Sequence, residues 1–146
     1  MLFSVDNKLQ TNCNKSKMAT WKSFTEIEVW KSSRIFCQDI YRIMQYDGLK
    51  TDYRLKDQIN GSSGSIMDNI AEGFDRGGNK EFVNFLSYSK GSAGESLSQL
   101  YRIYDRKYIS EEEFNELSNK STEIINKVGG LMNYLKNSGI KGPKFK

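Results

Sequence analysis

The chain has 146 residues, the length of one domain and enough to bury a core without disulfides or metal ions. One proline and 37% apolar residues are typical of a soluble helical protein, and no window approaches the roughly 18 apolar residues that a membrane span needs. The sequence contains no histidine, which removes Ser-His and Cys-His nucleophile pairs and the histidine ligands of zinc and di-iron sites. We therefore expect a cytoplasmic protein that is not an enzyme and has no cofactor.

The formal net charge of +4 belongs to the two ends of the chain. Residues 1–22 hold four Lys against one Asp, and residues 136–146 hold four Lys and no acid. Residues 23–135, in contrast, carry 14 basic and 17 acidic side chains. We predict a flexible leader at 1–22, a bundle domain at 23–136 and a Lys- and Gly-rich tail at 137–146. The acidic body argues against nucleic-acid binding by the folded domain, although the basic ends can still contact phosphates.

An S-x-x-E capping box at Ser23–Glu26 predicts the start of the first helix. A stripe with spacings of three and four then follows, formed by Val29, Ser33, Phe36, Ile40 and Ile43. Asp47-Gly48 is predicted to end the helix, with Gly48 in the left-handed conformation. Cys37 falls beside the stripe, which favours a buried structural thiol over a reactive one.

A second helix is predicted from about Asp52 to Phe74. Its apolar face consists of Leu55, Ile59, Ser62, Ile66, Ile70 and Phe74. The run Asn60-Gly-Ser-Ser-Gly-Ser65 lies within it, although each helical glycine costs about 1 kcal/mol relative to alanine. Close approach of a neighbouring helix is one interpretation of this run, and a ligand-contacting Gly/Ser loop is the other.

The third helix is predicted from about Asn79 to Lys107. Its core stripe consists of Phe82, Phe85, Leu86, Ser89, Ala93, Leu97, Leu100 and Tyr104. Ser87, Gly91 and Gly94 form a second small-residue patch, which predicts a tight crossing with the second helix.

The fourth helix is predicted to begin at a second capping box, Ser110–Glu113. Its seam keeps a regular spacing over three heptads, through Phe114, Leu117, Ser121, Ile124, Val128, Leu131 and Leu135. Four amphipathic helices with short turns predict an all-α, antiparallel up-down-up-down four-helix bundle.

Four carboxylates are candidates for burial near the predicted crossing, namely Asp68, Glu72, Glu81 and Glu95. Asp68 and Glu72 are four residues apart and share one helix face, an arrangement that is compatible with a carboxylate metal site or an acid–base pair. The structural alternative is that Glu72 and Glu95 pair with Arg76 and Lys90, or cap exposed backbone groups. Because histidine is absent, we expect neither a metal ion nor catalytic residues.

Aromatic and basic residues interleave at Tyr101, Arg102, Arg106 and Lys107. Such a run is typical of a nucleic-acid surface, but also of a solvated helix face or an oligomer interface. The candidate nucleic-acid contacts are Arg102, Arg106, Lys107, Lys136, Lys141, Lys144 and Lys146.

The segment Asn69-Ile-Ala-Glu-Gly-Phe-Asp-Arg76 is followed by Phe82, Phe85-Leu86, Gly91-Ser92 and Glu95. Together they resemble the signature of the bacterial four-helix-bundle proteins that are encoded within intervening sequences of 23S ribosomal RNA. The accessory variability proteins of diversity-generating retroelements are related to that family. The similarity extends from about Phe24, which is followed by Glu-Val-Trp-Lys31, to about Leu135.

This resemblance implies a bundle that assembles into a homopentamer with a central channel. The retroelement relatives bind nucleic acid and a reverse transcriptase through basic surfaces. The motif residues Asn69, Glu72, Gly73, Arg76, Ser92 and Glu95 are expected to fix the junction of the second and third helices or the subunit contact. The expected role is an accessory protein associated with RNA or DNA. The alternative is a structural or protein-binding scaffold without nucleic-acid affinity, which the acidic body favours.

Overall fold

The computed structural model describes residues 21–138, which form one bundle of helices. The helices are α1 (Glu28–Met44), α2 (Asp47–Thr51), α3 (Tyr53–Arg76), α4 (Asn79–Asp105) and α5 (Glu111–Asn137). A single 3-10 turn, Phe24–Glu26, precedes α1. The predicted all-helical fold is therefore confirmed. Most of the predicted leader and tail lies outside the described residues. No helix among residues 21–138 is long and apolar enough to cross a membrane.

Contacts between neighbouring helices establish that they run antiparallel. Gln58, early in α3, accepts a hydrogen bond from Arg102, late in α4. α1 and α5 are also antiparallel. Lys127, late in α5, contacts Ser32, early in α1, and Glu113, early in α5, contacts Tyr46, just after α1. α1 packs on α3 and α5, and α4 packs on the same two helices from the opposite corner.

This topology gives the bundle two distinct ends. The proximal end, as we call it, holds the start of α1, the α3–α4 turn and the end of α5. There the ring centroids of Trp21 and Phe74 lie 6.4 Å apart, and the Asn79 side chain donates a hydrogen bond to the carbonyl of Leu135. The distal end holds α2 and the α4–α5 connection. The first and last described residues, Trp21 and Ser138, therefore both lie at the proximal end.

The predicted core stripes of the first, second and fourth long helices are buried as expected. In α4 the stripe shifts in its second half. Leu97 and Tyr104 are only half-buried, whereas Ser96, Gln99 and Ile103 are buried. The shift occurs because Ser96 and Gln99 find hydrogen-bond partners on α3 and can face inward.

The first helix differs from its prediction at both ends. The Ser23–Glu26 capping box forms, but it caps the 3-10 turn, and the extended, buried Ile27 separates that turn from α1. Gly48 does not adopt a left-handed conformation, because it lies within α2. A Cβ at Gly48 would clash with the ring of Tyr108, so close packing explains this glycine.

The turns around α4 have specific backbone conformations. Gly77 ends α3 with φ 92°, a left-handed conformation that favours glycine. α4 ends at Asp105, two residues before the predicted Lys107, which has φ 60°. There the amide of Tyr108 donates to the carbonyl of Ile103 at 3.2 Å, closing the helix end. The capping box at Ser110 forms as predicted.

Candidate interaction surfaces

The glycine of the signature segment sets the distance between α3 and α4. Gly73 is buried, and a Cβ there would lie 2.6 Å from Cβ of Phe85 and 3.1 Å from Cδ1 of Phe82. Phe82 in turn packs edge-on against Phe74, with ring centroids 6.0 Å apart. Any side chain at Gly73 would therefore push α4 away from α3 beside their turn.

Glu72 and Arg76 form the predicted ion pair on the surface of the same junction. Their side chains lie 3.0 Å apart and are each 53% exposed, so the pair contributes little to stability. The Arg76 guanidinium also lies 5.2 Å from the centroid of the Phe85 ring. Asn69 donates to the carbonyl of Ser65 within α3 at 2.8 Å. The Arg76 side chain therefore lies over the site where α3 packs on α4.

The predicted pairing of Glu95 with Lys90 is wrong. Glu95 instead accepts a 3.3 Å hydrogen bond from Gln99 on its own helix, and Ser92 is half-buried nearby in sequence. None of the four carboxylates that were candidates for burial is buried, since Asp68, Glu72, Glu81 and Glu95 are all exposed. Within residues 21–138 no three metal-ligating side chains come together.

A buried hydrogen-bond cluster between α3 and α4 was not predicted. Ser62 donates to Oε1 of Gln99 at 2.6 Å and lies 2.8 Å from the hydroxyl of Ser96. All three side chains are at most 6% exposed. The residues that continue the stripe at spacings of three and four are Ala93, Ser96, Leu100 and Ile103. A stripe that included polar residues would therefore have predicted that the cluster lies inside the bundle.

Two further buried serines connect adjacent helices. Ser89 of α4 donates to the carbonyl of Ile66 on α3 at 2.7 Å. Ser121 of α5 donates to the carbonyl of Ala93 on α4 at 2.8 Å. The buried polar groups of the bundle thus serve packing between helices.

The glycines of the small-residue patches do not mediate the predicted tight crossing. Cβ atoms at Gly61, Gly64, Gly91 and Gly94 would meet no described atom within 4 Å. The two helices are joined instead by the hydrogen bonds of Ser62 and Ser89 and by the close contact at Gly73. Within residues 21–138 no contact explains these four helical glycines.

The candidate nucleic-acid contacts do not form one surface. At the distal end Arg102 donates to Gln58 at 3.0 Å, and Arg106 pairs with Asp52. Lys107 is exposed at the same end. Lys136 lies at the proximal end, one α4 length or about 40 Å away. The other candidates, Lys141, Lys144 and Lys146, lie outside the described residues.

Asp52 and Glu113 accept hydrogen bonds that join separate segments of the chain at the distal end. Burial acts to raise the pKa of Asp52, but hydrogen bonds from Tyr108 at 2.9 Å and from Arg106 outweigh it and lower that pKa. The Tyr46 hydroxyl likewise lowers the pKa of Glu113. Each carboxylate is stabilised in its ionised form by a group on another segment.

We expect acid to weaken the contacts that Asp52 makes with Tyr108 and Arg106. Because the folded pKa is lowered, their contribution is fully present above the unfolded pKa of about 4 and is lost as pH falls through the folded value. Asp52→Asn should lower the melting temperature at pH 7 by an amount equivalent to about 1 kcal/mol or less, and by progressively less as the pH falls below about 4. Melting curves across this range check it. Asp105→Asn, which removes an exposed carboxylate at the same end, is the control, and an equal effect in both variants would contradict the assignment.

Cys37 behaves as a structural thiol. Its Sγ donates to the carbonyl of Ser63 on α3 at 3.2 Å. Burial raises the pKa of the thiol to about 11, so it stays protonated at neutral pH. This agrees with the interpretation of the sequence.

The outward face of α1 is basic and partly apolar. Lys31, Arg34 and Arg42 line it together with Gln38, and all four are exposed. Asp39 lies between this face and α5, because one of its carboxylate oxygens pairs with Arg42 at 3.0 Å and the other pairs with Lys120. This face was not predicted, because the positive charge of the sequence is concentrated at the chain ends.

The fold and its surfaces together define a helical bundle. Its buried polar side chains connect neighbouring helices, and its distinctive features lie on its outer faces. The model of the 23S rRNA-intervening sequence protein family matches residues 25–130, and the chain belongs to this family. A solved structure from Bacteroides thetaiotaomicron, of a protein of unknown function from the S23 ribosomal protein family, is similar, with a TM-score of 0.66 and 25% identity. The similarity covers 71% of this chain and 97% of that one. A comparison with curated proteins gave no match.

Proposed function

We propose that the protein is a non-enzymatic, self-associating bundle that binds RNA or DNA with its proximal end. One observation supports the proposal: the antiparallel topology places Trp21 and Ser138, the first and last described residues, at the same end, and the basic terminal segments adjoin them in the sequence. Residues 1–22 and 136–146 together contain eight Lys and one Asp, a net charge of +7. Arg76 and Lys80 flank the α3–α4 turn at this end, and both are exposed.

The distal end is a weaker candidate because two of its cations are bound to neighbouring side chains and several acidic residues lie beside the others. Arg106 is bound to Asp52, and Arg102 is bound to Gln58. The first turn of α5 adds Glu111, Glu112 and Glu113 at the same end. Phosphates approaching the distal end would meet as much negative as positive charge.

Binding at the proximal end would be mainly electrostatic. Lysines that neutralise phosphates release condensed counterions, so the affinity falls steeply with salt and depends little on base sequence. Self-association by a rotation about one axis would place several proximal ends on one side of the assembly. Their lysines would then bind one nucleic acid together, which raises the affinity further.

A binding role rather than catalysis is supported by how the interior is used. The buried hydroxyls and the Gln99 amide bond one another or helix carbonyls. The thiol of Cys37, with its pKa raised to about 11, is a poor nucleophile at neutral pH. We therefore assign function to the surface of the bundle.

Neutralising the terminal lysines of the full chain tests the proposal. We expect weaker binding and a shallower salt dependence when Lys8, Lys15, Lys17 and Lys22 are changed to Gln, and again for Lys136, Lys141, Lys144 and Lys146. Each lost phosphate contact should reduce the log–log salt slope by about 0.7–0.9. Fluorescence anisotropy with labelled structured RNA and duplex DNA at several salt concentrations measures this.

The matched control neutralises four cations at the distal end: Lys50, Lys56, Arg102 and Lys107. This variant should bind like the unmodified protein. Loss of binding in the control alone would move the site to the distal end. Absence of binding by the unmodified protein would favour the second candidate, a scaffold without nucleic-acid affinity, which the excess of acids in residues 23–135 supports.

A further inference from the structure

We propose that copies of this chain contact one another through two different faces, the outward face of α1 on one copy and the outward face of α3 on the next. The proposal rests on the self-association in the proposed function and names the surfaces that would produce it. It follows from three properties of the described residues: opposite charge, equal spacing and glycines that have no role within one chain.

The outward face of α3 has a row of residues with acidic side chains at its two ends and glycines at its centre. Asp57, Gly61, Gly64 and Asp68 succeed one another at spacings of four, three and four, so they form one row along the helix. Asp57, Gly61 and Asp68 are exposed, and Gly64 is half-buried. Neither carboxylate takes part in an ion pair within residues 21–138.

The two glycines are unexplained within a single chain. Glycine is the poorest helix former after proline, and a Cβ at either position would meet nothing within 4 Å. Their presence weakens α3 without improving any contact inside the bundle. A second helix packed on this row would supply the reason, because glycine allows two helices to approach closely.

The α1 face complements this row in charge and length. Lys31 and Arg42 stand eleven residues apart, as do Asp57 and Asp68, which is about 16 Å along each helix. Lys31 takes part in no ion pair within residues 21–138, whereas Arg42 pairs with Asp39, which Lys120 also contacts, and stays 48% exposed. Both cations can therefore reach a carboxylate of the next copy, with the middle of α1 over the glycines. Ile35 and Tyr41 beside the row are 52% and 64% exposed, which gives this face apolar surface to bury.

The positions of the two faces favour a closed ring. α1 and α3 are adjacent helices of the bundle, so their outward faces diverge by roughly a right angle. A contact between unlike faces is heterologous and continues from copy to copy. Successive copies joined through diverging faces are rotated relative to one another, and the series of contacts closes into a ring when that rotation is a whole fraction of a turn.

One competing acidic row exists on α5. Glu112 and Glu123 are also eleven residues apart on an exposed face. Glu123, however, already pairs with Lys127 at 3.1 Å, and Glu116 between them pairs with Lys120 at 3.4 Å. This row is bulky and partly neutralised, so it suits α1 less well and provides the matched control.

Charge reversal on the full-length protein tests the assignment, with molar mass measured by light scattering after size exclusion. Lys31→Glu with Arg42→Glu should reduce the mass to that of one chain, and Asp57→Lys with Asp68→Lys should do the same. All four changes in one chain should restore the unmodified mass, because the charges are complementary again. Glu112→Lys with Glu123→Lys should leave the mass unchanged. Circular dichroism melting confirms that each variant is folded.

The outcomes separate this proposal from the one it rests on. An unmodified protein that is monomeric at all concentrations would overturn self-association itself. An oligomer that withstands both reversals, or that the four-fold variant does not restore, would overturn only the pairing of α1 with α3. Dissociation by the α5 variant alone would assign the contact to α5. Loss of RNA binding with unchanged mass in the α1 variant would make α1 a nucleic-acid surface instead.

Discussion

Replacing Gly73 by alanine is expected to destabilise the protein by about 1–3 kcal/mol, even though alanine is the better helix former. The new Cβ would lie 2.6 Å from Cβ of Phe85, an atom fixed to the α4 backbone that cannot turn aside. Relief requires α3 and α4 to separate beside their turn, which opens the packing of Phe74 on Phe82. Urea unfolding followed by circular dichroism measures the change in free energy.

Gly91→Ala is the matched control for this prediction. The same chemical change is made in the middle of a long helix, but nothing lies within 4 Å of the new Cβ. We expect a gain of about 0.5–1 kcal/mol from the higher helix propensity of alanine. Equal effects at the two positions would show that close approach is not the reason for glycine at position 73.

Ser62→Ala is expected to cost about 1–3 kcal/mol, because it leaves Oε1 of Gln99 buried without the hydroxyl that donates to it. Gln99 is 5% exposed, so water cannot easily take over this role. The cluster also predicts strong non-additivity. Replacing Ser62 and Ser96 by Ala together with Gln99 by Leu removes all the partners at once, and should cost less than the sum of the three single changes.

Denaturant unfolding of the single, double and triple variants tests this coupling. Additive costs would indicate that the three side chains act independently, despite the 2.6 and 2.8 Å distances between them. Ser118→Ala is a suitable control, because Ser118 donates to the carbonyl of Phe114 in its own helix and is half-buried. We expect its replacement to change stability only slightly.

The fold was predictable because apolar periodicity is a strong signal in long helices. All seven predicted seam residues of α5 are buried, and its capping box at Ser110 forms. In α4 the same reasoning was wrong for Leu97, because Ser96 and Gln99 face inward where α3 supplies partners. Apolar periodicity does not reveal a partner that lies on another helix.

The glycines illustrate the same limit. Gly48, Gly61, Gly64 and Gly73 are all helical residues, yet two meet neighbouring side chains and two face outward. Sequence spacing assigned close approach to the outward-facing pair and a left-handed turn to Gly48. The tertiary packing of Tyr108 and Phe85 decides which glycine is required, and the local sequence does not contain that information.

The signature segment acquires a physical meaning from these contacts. Gly73 allows α3 and α4 to meet, while Glu72 holds Arg76 over the ring of Phe85. These residues stabilise a junction, and none of them forms a pocket with the others. We therefore expect variation in binding among related bundles to lie on outer faces and terminal segments.

The most direct test of the account is hydrogen–deuterium exchange of the full-length protein with and without structured RNA at low salt. We predict slower exchange at the proximal end, in residues 21–27, 74–82 and 131–138. Residues 45–52 and 104–111, at the distal end, should exchange at the same rate in both samples. Protection confined to the distal end, or no protection despite binding, would contradict the proposal that nucleic acid binds at the proximal end.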